Sequence, residues 1–444
     1  MVKKGAIWKF SASFVFGLLV GYRVVPSAVV GAGYVVVILA CLIYASQNNI
    51  TKFLTYLPYA VYTEVFIRAY VRSVPYLAIQ YLYIAVFSIM LINFTKNRAP
   101  HSKIFYFLIG FAILEVVNGF FPARPVLLRA IFFNSFSSIL AVIWASYNVL
   151  TPTLINKLLA NIKIASVFLA GIIVVAHISG KIEYGNFSNS DSSNGLAPVQ
   201  ISGYLGMASC ILLMGLMNPQ EKATRVLNFI LFFVVTVIMV LTFSRGGLYF
   251  LAIIATMYMF FNRQSLGNYF KYLLLIPVAI IAFNFIVAET GGAILKRYEE
   301  KGSSNRDVLA MAGFKVFLEN PILGVGTSNF GAAIVQYRLF AQESTAHNEF
   351  IRAMTEHGLL GIVTYWGFFV FMFLSILFNR RGPSMHYSLY FLTLFCLIVV
   401  HNGLKISIQP LLLVLAVANP GTVTVARKKI SHAIKRTLPL QKSA

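Results

Sequence analysis

The chain has 444 residues, of which 59% are hydrophobic and only 11% are charged, and its formal net charge is +23. A soluble domain carries about 25% charged residues, so this composition excludes an ordinary soluble protein. The basic residues lie in short loops and in the C-terminal tail. That distribution argues against nucleic-acid binding and favours contact with the anionic lipids of a cytoplasmic membrane leaflet.

Apolar runs recur along the whole chain and have the length of about 17 to 25 residues that a transmembrane helix needs. We therefore predict an all-α, polytopic helical membrane protein with about 12 to 14 transmembrane helices. The candidate spans, in chain order, are residues 8–22, 27–46, 53–70, 75–95, 103–121, 126–148, 158–178, 198–216, 226–243, 246–262, 270–288, 358–378, 387–403 and 408–419. Cys41, Cys210 and Cys396 lie far apart inside such runs, and we interpret them as small buried thiols.

Lysine and arginine are distributed unevenly between alternate loops, and this predicts the orientation. One set of loops, together with both termini, carries most of the basic residues, whereas most of the opposite short loops hold one or two. Both termini are therefore predicted to be cytoplasmic. The same alternation places three polar stretches together on the outer side: residues 179–197, the turn Ser244-Arg245-Gly246-Gly247, and residues 289–357.

The long polar stretch divides the chain into three parts. Residues 1–288 are predicted to hold transmembrane helices and the Arg245 turn, residues 289–357 to form a large, partly helical periplasmic loop, and residues 358–444 to hold the last helices and a basic cytoplasmic tail. A connection as long as 289–357 is usually functional, because a plain connection needs only a few residues. We therefore expect this loop to carry the active site.

The spacing inside the loop predicts two helices. The first runs from Asp307 to Glu319, just after Arg306, and is ended by the following Asn320-Pro321 pair. Glycines at 324 and 326 then mark a tight turn. The second helix begins near His347 and continues into the span at residue 358.

Three residues of the outer stretches are candidates for chemistry. A histidine such as His347 can accept a proton at physiological pH, although a capping or surface histidine is the alternative. Arg245 lies between two apolar runs, where its planar fork suits a phosphate group, and an interfacial anchor is the alternative. Arg306, at a predicted helix start, is a second candidate phosphate contact or else a solvated loop charge.

Other polar residues of the apolar runs have weaker claims to a site. Three histidines fall at span boundaries, where a polar ring is ordinary: His357, His386 and His401. Glu64 and Glu115 lie within predicted spans and are expected to pair with Arg68 or Arg129, or to mark a polar cavity. No metal-ligand spacing and no nucleotide-binding fingerprint occurs, so we predict chemistry without a metal or a cofactor.

The run His347-Asn348, followed by nine residues and Gly358-Leu359-Leu360-Gly361, resembles the signature of bacterial O-antigen ligases and O-antigen polymerases. The flanking pieces agree with this resemblance: the Ser-Arg-Gly-Gly turn at 244–247, Arg306 before a helix, and the stretch ENPILGVGTSNF at 319–330. The resemblance covers roughly residues 195–365. The sequence shows no separable soluble domain.

What the resemblance implies is a GT-C-type, metal-independent glycosyltransferase of the bacterial inner membrane with a periplasmic active site. Such enzymes move a glycan from an undecaprenyl-diphosphate carrier to an acceptor, which is the lipid A–core in ligases and another carrier-linked glycan in polymerases. Carried over by position, His347 is the general base on the acceptor hydroxyl. Arg245 and Arg306 bind the donor diphosphate and stabilise the leaving group, and Asn348 binds substrate and shapes the start of the helix.

Alternatives remain at two levels. The motif does not separate a ligase from a polymerase, and we favour the ligase. Two hypotheses from other classes compete with the enzyme. One is a transporter or flippase with Glu64, Glu115 and Arg245 along its path, and the other is a membrane scaffold without a site. The concentration of polar residues at one membrane face favours the enzyme, because a transport path needs them near the middle of the bilayer.

Overall fold

The computed structural model describes residues 4–71, 74–94, 100, 102–119, 125–180, 182, 190–217, 222–262, 266–299, 306–401, 403 and 406–420. The predicted basic tail after residue 420 and residues 183–189 of the predicted outer loop lie outside these ranges. The described helices are α1 (Lys4–Gly21), α2 (Ser27–Ser46), α3 (Ile50–Tyr70), α4 (Ala78–Phe94), α5 (Phe105–Val117), α6 (Pro125–Tyr147), α7 (Pro152–Ile178), α8 (Pro198–Met217), α9 (Lys222–Leu241), α10 (Gly246–Phe261), α11 (Leu266–Glu289), α12 (Ala293–Glu299), α13 (Arg306–Glu319), α14 (Phe330–Gln336), α15 (Glu349–Gly361), α16 (Gly367–Asn379), α17 (Gly382–His401) and α18 (Gln409–Val417). A π-helical segment, Ile362–Trp366, joins α15 to α16.

The fold is all-α and has the long apolar helices of a polytopic membrane protein. Seven of the described helical segments are long and apolar enough to cross a bilayer, and five further apolar helices have 10–17 residues. The only strands among the described residues are two residues each, β1 (Val149–Leu150) and β2 (Asn419–Pro420), which pair in parallel with Val149 opposite Asn419. The predicted class is confirmed, whereas the number of spans stays a prediction.

The helices other than α13 and α14 share one apolar core. α1 and α3 pack against α7, α2 packs against α3, and α8 packs against α9 and α10. Large rings fill the space between helices: Phe53 of α3 and Trp144 of α6 are both fully buried, with ring centroids 6.3 Å apart. Close packing of this kind is what holds helices together in a bilayer, where lipid is as apolar as the side chains.

The last helix, α18, differs from the span that the apolar run 408–419 predicts. It has nine residues, all of them buried, and it packs between α17 and α6. At about 1.5 Å per residue it is too short to cross a hydrocarbon core of about 30 Å. Its end is closed by Arg380, whose guanidinium donates hydrogen bonds to the carbonyl groups of Ala416 (3.1 Å), Val417 and Ala418 (3.3 Å). Burial lowers the pKa of Arg380 to about 10.

The outer loop contains the two helices that the sequence predicts. α13 begins at Arg306 and ends at Glu319, directly before Asn320-Pro321. The predicted turn has positive φ angles of 69° at Gly324 and 90° at Gly326.

The second helix, α15, begins at Glu349, two residues after the predicted start at His347. It then continues through the π-helical segment into α16. The loop therefore ends in the motif and passes directly into a membrane span.

Candidate active site

His347 and Asn348 form the junction between the outer loop and α15. The Asn348 side chain accepts hydrogen bonds from the backbone N–H groups of Phe350 (3.0 Å) and Ile351 (3.4 Å), which caps the helix. His347 has a φ of 54°, in the left-handed region that residues with a Cβ rarely adopt. Such backbone is held by its surroundings and clusters at functional sites. The histidine is therefore fixed in the turn, and Asn348 starts the helix.

The turn Ser244-Arg245-Gly246-Gly247 connects α9 to α10 and is fixed to α8. The Ser202 hydroxyl donates to the Ser244 carbonyl and accepts from the Gly247 N–H, both at 3.0 Å. Arg245 occupies the N-cap position of α10 and is half-buried. The two helices reverse here as predicted, so Arg245 lies at the end of the helix pair.

His401, the last residue of α17, lies between this turn and α13. Arg306 donates a hydrogen bond from Nη1 to Nδ1 of His401. A guanidinium has donors only, so the ring nitrogen accepts and the imidazole is in its neutral form. On the other side, a Cβ built at Gly246 would lie 2.0 Å from Nε2 of the ring. Only glycine at this position of the turn leaves room for the imidazole.

The backbone of His347 lies near Gly403, just after the end of α17. A Cβ built at Gly403 would lie 3.8 Å from the carbonyl carbon of His347 and 2.9 Å from Oε1 of Glu349. Gly403 is two residues from His401 in the chain, so the backbone of His347 lies near the end of α17. We call the resulting group the outer cluster, and its members are Arg245, Arg306, His347 and His401.

The outer cluster lies at one end of the helix bundle. α10 begins beside it at Gly246 and ends at Phe261, whose ring stacks on His386 near the start of α17 with centroids 4.5 Å apart. The loop before α8 reaches the same end as the cluster, because the Ser192 hydroxyl donates to the carbonyl of Thr242 at 3.3 Å. The three polar stretches therefore meet at one end of the bundle, and its assignment to the periplasmic side stays a prediction.

A second group of charges surrounds Arg352 of α15. Its guanidinium meets the carboxylates of Glu349 at 2.6 Å, Glu356 at 2.7 Å and Glu115 at 2.8 Å. All four side chains are buried. We call them the buried cluster. Because Glu115 belongs to α5, these charge-assisted hydrogen bonds fix α15, and with it the His347 turn, to the transmembrane bundle.

The first glycine of the Gly-x-x-Gly motif interrupts α15 so that the outer loop can lie against it. Gly358 has a φ of 61°, and a Cβ built there would lie 2.5 Å from the carbonyl carbon of Ile322. The next N–H, that of Leu359, donates to the carbonyl of Pro321 at 2.7 Å. The motif therefore joins a loop to a helix at backbone distance, which requires glycine at this position.

The remaining predicted residues have structural surroundings. Glu64 lies 3.5 Å from Arg68, the pairing that the sequence predicts. Glu115 pairs instead with Arg352, a partner that the sequence prediction did not include, and the side chain of Arg129 lies outside the described residues. His357 is fully buried, with Nδ1 3.3 Å from Nδ2 of Asn118. The three cysteines are free, and two of them are buried: Cys41, Cys210 and Cys396.

Sequence reasoning underrated His401 and missed Arg352. A signal for Arg352 exists, because Glu349 and Glu356 lie three and four residues away and share its helix face. His401 carries no comparable local signal, since its partner Arg306 is 95 residues away in the chain.

Residues 229–366 match the family model described as O-Antigen ligase (Wzy_C). This segment contains the Arg245 turn, Arg306 and the whole His347–Gly361 motif, so the resemblance to the O-antigen ligase and polymerase family is confirmed over it. Residues 1–228 and 367–444, which include His401, lie outside the match. No curated protein matches the chain.

Proposed function

We propose that this protein is a metal-independent glycosyltransferase that moves a glycan from undecaprenyl diphosphate to an acceptor at the periplasmic face of the bacterial inner membrane. The preferred acceptor is the lipid A–core, as in O-antigen ligases. The observation that carries the proposal is the contact of Arg306 with His401, whose ring also lies against the Arg245 turn and beside the His347 loop. Arg306 and His401 thereby meet beside the Arg245 turn and near the backbone of His347.

In the proposed reaction, His347 acts as the general base. The acceptor hydroxyl gives its proton to the imidazole while its oxygen forms a bond to the anomeric carbon of the donor glycan. The bond between that carbon and the phosphate oxygen breaks, and undecaprenyl diphosphate leaves with the bonding electron pair. Attack from the face opposite the leaving group inverts the anomeric carbon.

Arg245 and Arg306 supply the positive charge that the departing diphosphate needs. Pre-placed donors aimed at a developing charge stabilise the transition state without reorganisation during the reaction. The hydrogen bond to His401 orients the guanidinium of Arg306. The planar fork is then suited to bind two phosphate oxygens at once.

The acceptor separates the two members of the proposed enzyme class. A ligase joins the glycan to lipid A–core, whereas a polymerase joins it to a second carrier-linked glycan. We favour the ligase, and the polymerase is the alternative that the same chemistry allows.

Reconstitution in vesicles tests the proposal. Purified protein is supplied with carrier-linked glycan together with either lipid A–core or a second carrier-linked glycan, and the lipid end of the product is identified by mass spectrometry. Product on lipid A–core supports the ligase, and product that retains the carrier supports the polymerase. His347→Ala is the inactive control, and Gln336→Ala is the matched variant at an exposed position of the same loop. Absence of product with either acceptor, together with translocation of the carrier-linked glycan, would contradict the enzyme and support a transporter.

A further inference from the structure

α13 carries a stripe of apolar side chains on the side that faces away from the protein. The first four of these side chains lie on α13 at helical spacing, and the last two lie just after its end. Each is between 43% and 67% exposed: Val308, Met311, Phe314, Leu318, Ile322 and Leu323. The spacing of three and four residues places the first four on one face of the helix. A contiguous row of exposed apolar side chains indicates contact with something other than water.

The opposite face of α13 is covered by the protein itself. Leu309 and Val316 are buried in a small apolar cluster shared with Phe330 of α14. The Thr355 hydroxyl of α15 donates to the carbonyl of Gly313 at 3.0 Å. α13 is therefore fixed on the motif helix, and the exposed stripe has a defined direction.

The stripe is continuous with the apolar surface of the transmembrane helices. The Leu359 N–H donates to the Pro321 carbonyl at 2.7 Å, and Asn118 donates from Nδ2 to the Leu323 carbonyl at 3.2 Å. Next to these contacts, Leu359 is 54% exposed at the start of one span, and Val117 is 54% exposed at the end of α5. Exposed apolar side chains of spans in a polytopic membrane protein face lipid. The exposed apolar surface of the spans therefore extends onto α13.

We propose that α13 lies in the membrane interface with this stripe in the acyl-chain region of the outer leaflet. Between the acids at its two ends, Asp307 and Glu319, the helix has one charged residue, Lys315. The long stem of a lysine allows its ammonium group to reach the headgroup phosphates while apolar neighbours stay in the lipid. Arg306, at the N-terminus of the same helix, is thereby held at the depth of lipid phosphates.

Spin-label accessibility in a reconstituted bilayer tests this placement. In a background without the native cysteines, nitroxides are attached at Met311→Cys and Leu318→Cys. The references are Val363→Cys, 55% exposed on a span, and Gln336→Cys, exposed on α14 of the outer loop. We expect the ratio of oxygen to nickel-complex accessibility at 311 and 318 to match that at 363 and to exceed that at 336 several-fold.

Two results would overturn the proposal. A ratio at 311 and 318 equal to that at 336 would show that the stripe faces water. Low accessibility to both reagents, with spin–spin broadening between chains, would show that a second copy covers the stripe. If the cysteine-free background does not fold, brominated-lipid quenching of Phe314→Trp is compared with that of the unchanged protein, which has three tryptophans of its own. Added fluorescence of the variant that is not quenched contradicts the placement. Each measurement can be made in the His347→Ala variant, so it does not depend on the proposed activity.

Discussion

Arg306 and Arg352 lie in the same outer region of the protein but differ in their burial and in the hydrogen-bond partners shown for them. Arg352 is 6% exposed and meets three carboxylates, at 2.6, 2.7 and 2.8 Å. Arg306 is half-buried and donates to a neutral imidazole. In the first setting three carboxylates surround the guanidinium, and in the second an imidazole accepts a hydrogen bond from it and orients it.

This difference separates a charge that builds the structure from a charge that is suited to act on a substrate. A buried guanidinium surrounded by carboxylates holds helices together, and its charge is matched by groups of the protein. The half-buried guanidinium of Arg306 is oriented by an imidazole, and we propose that it meets the donor diphosphate. Variants in the two clusters should therefore fail in different ways.

The largest effect on activity is expected for His347→Ala in the outer cluster. Loss of the general base should lower the rate of glycan transfer by about 10²- to 10⁴-fold. The thermal unfolding midpoint in detergent should stay close to that of the unchanged protein, because the buried cluster is intact. Transfer at a near-normal rate in the reconstituted assay would show that His347 is not the base.

Arg352→Met should act on stability first. Removal of the guanidinium leaves three buried carboxylates without their partner, which should lower the free energy of unfolding by about 3–5 kcal/mol. The matched control is Arg338→Met, at an exposed position of the same loop, with an expected change within about 0.5 kcal/mol. Denaturation in mixed micelles measures both variants. Equal stability of the two would mean that the buried cluster does not hold α15 in place.

Arg306→Ala should impair activity rather than stability. Loss of one donor to the leaving diphosphate should lower the rate of transfer by about 10²- to 10³-fold, with little change in stability. Arg306→Lys retains the charge and loses the planar fork, so its rate should fall between those of the alanine variant and the unchanged protein. The rates are measured at saturating acceptor, with Arg338→Lys as the control. A rate for Arg306→Lys as low as that of Arg306→Ala would assign the effect to the fork alone.

The smallest effects are expected at His401, which we assign as a positioning residue for Arg306. His401→Leu removes the acceptor and should raise the KM for the carrier-linked donor about tenfold, the effect of one hydrogen bond to a charged group. His401→Asn offers an amide oxygen close to the place of Nδ1 and should restore most of the affinity. If both variants lose donor affinity equally, the ring acts only by packing against Gly246.

Much of the outer loop could be predicted from neighbouring residues. The start of α13 at Arg306 and its end before Asn320-Pro321 follow from local signals, because acidic residues favour helix starts and proline disfavours helix continuation. The turn at Gly324 likewise follows from glycine chemistry. The resemblance of the segment 229–366 to O-antigen ligases was also readable, because the motif itself is a short run of residues.

Other features were not readable from local signals. The run at 408–419 has the composition of a transmembrane span, yet α18 has nine residues and ends where Arg380 binds its last carbonyl groups. Hydropathy reports how apolar a run is, and it does not report whether the surroundings of that run are lipid or protein. The burial of α18 between α17 and α6 was decided by packing.

The sequence by itself determined the membrane-helical class, the helices of the outer loop, and the residue types that diphosphate chemistry needs. Only the tertiary structure decided which of those residues act together. Arg306 meets His401 across 95 residues, and Arg352 meets Glu115 across 237 residues. Helical spacing reports contacts within a few residues, whereas these pairs form only after separate helices have packed, because the geometry of packing sets which side chains can reach each other.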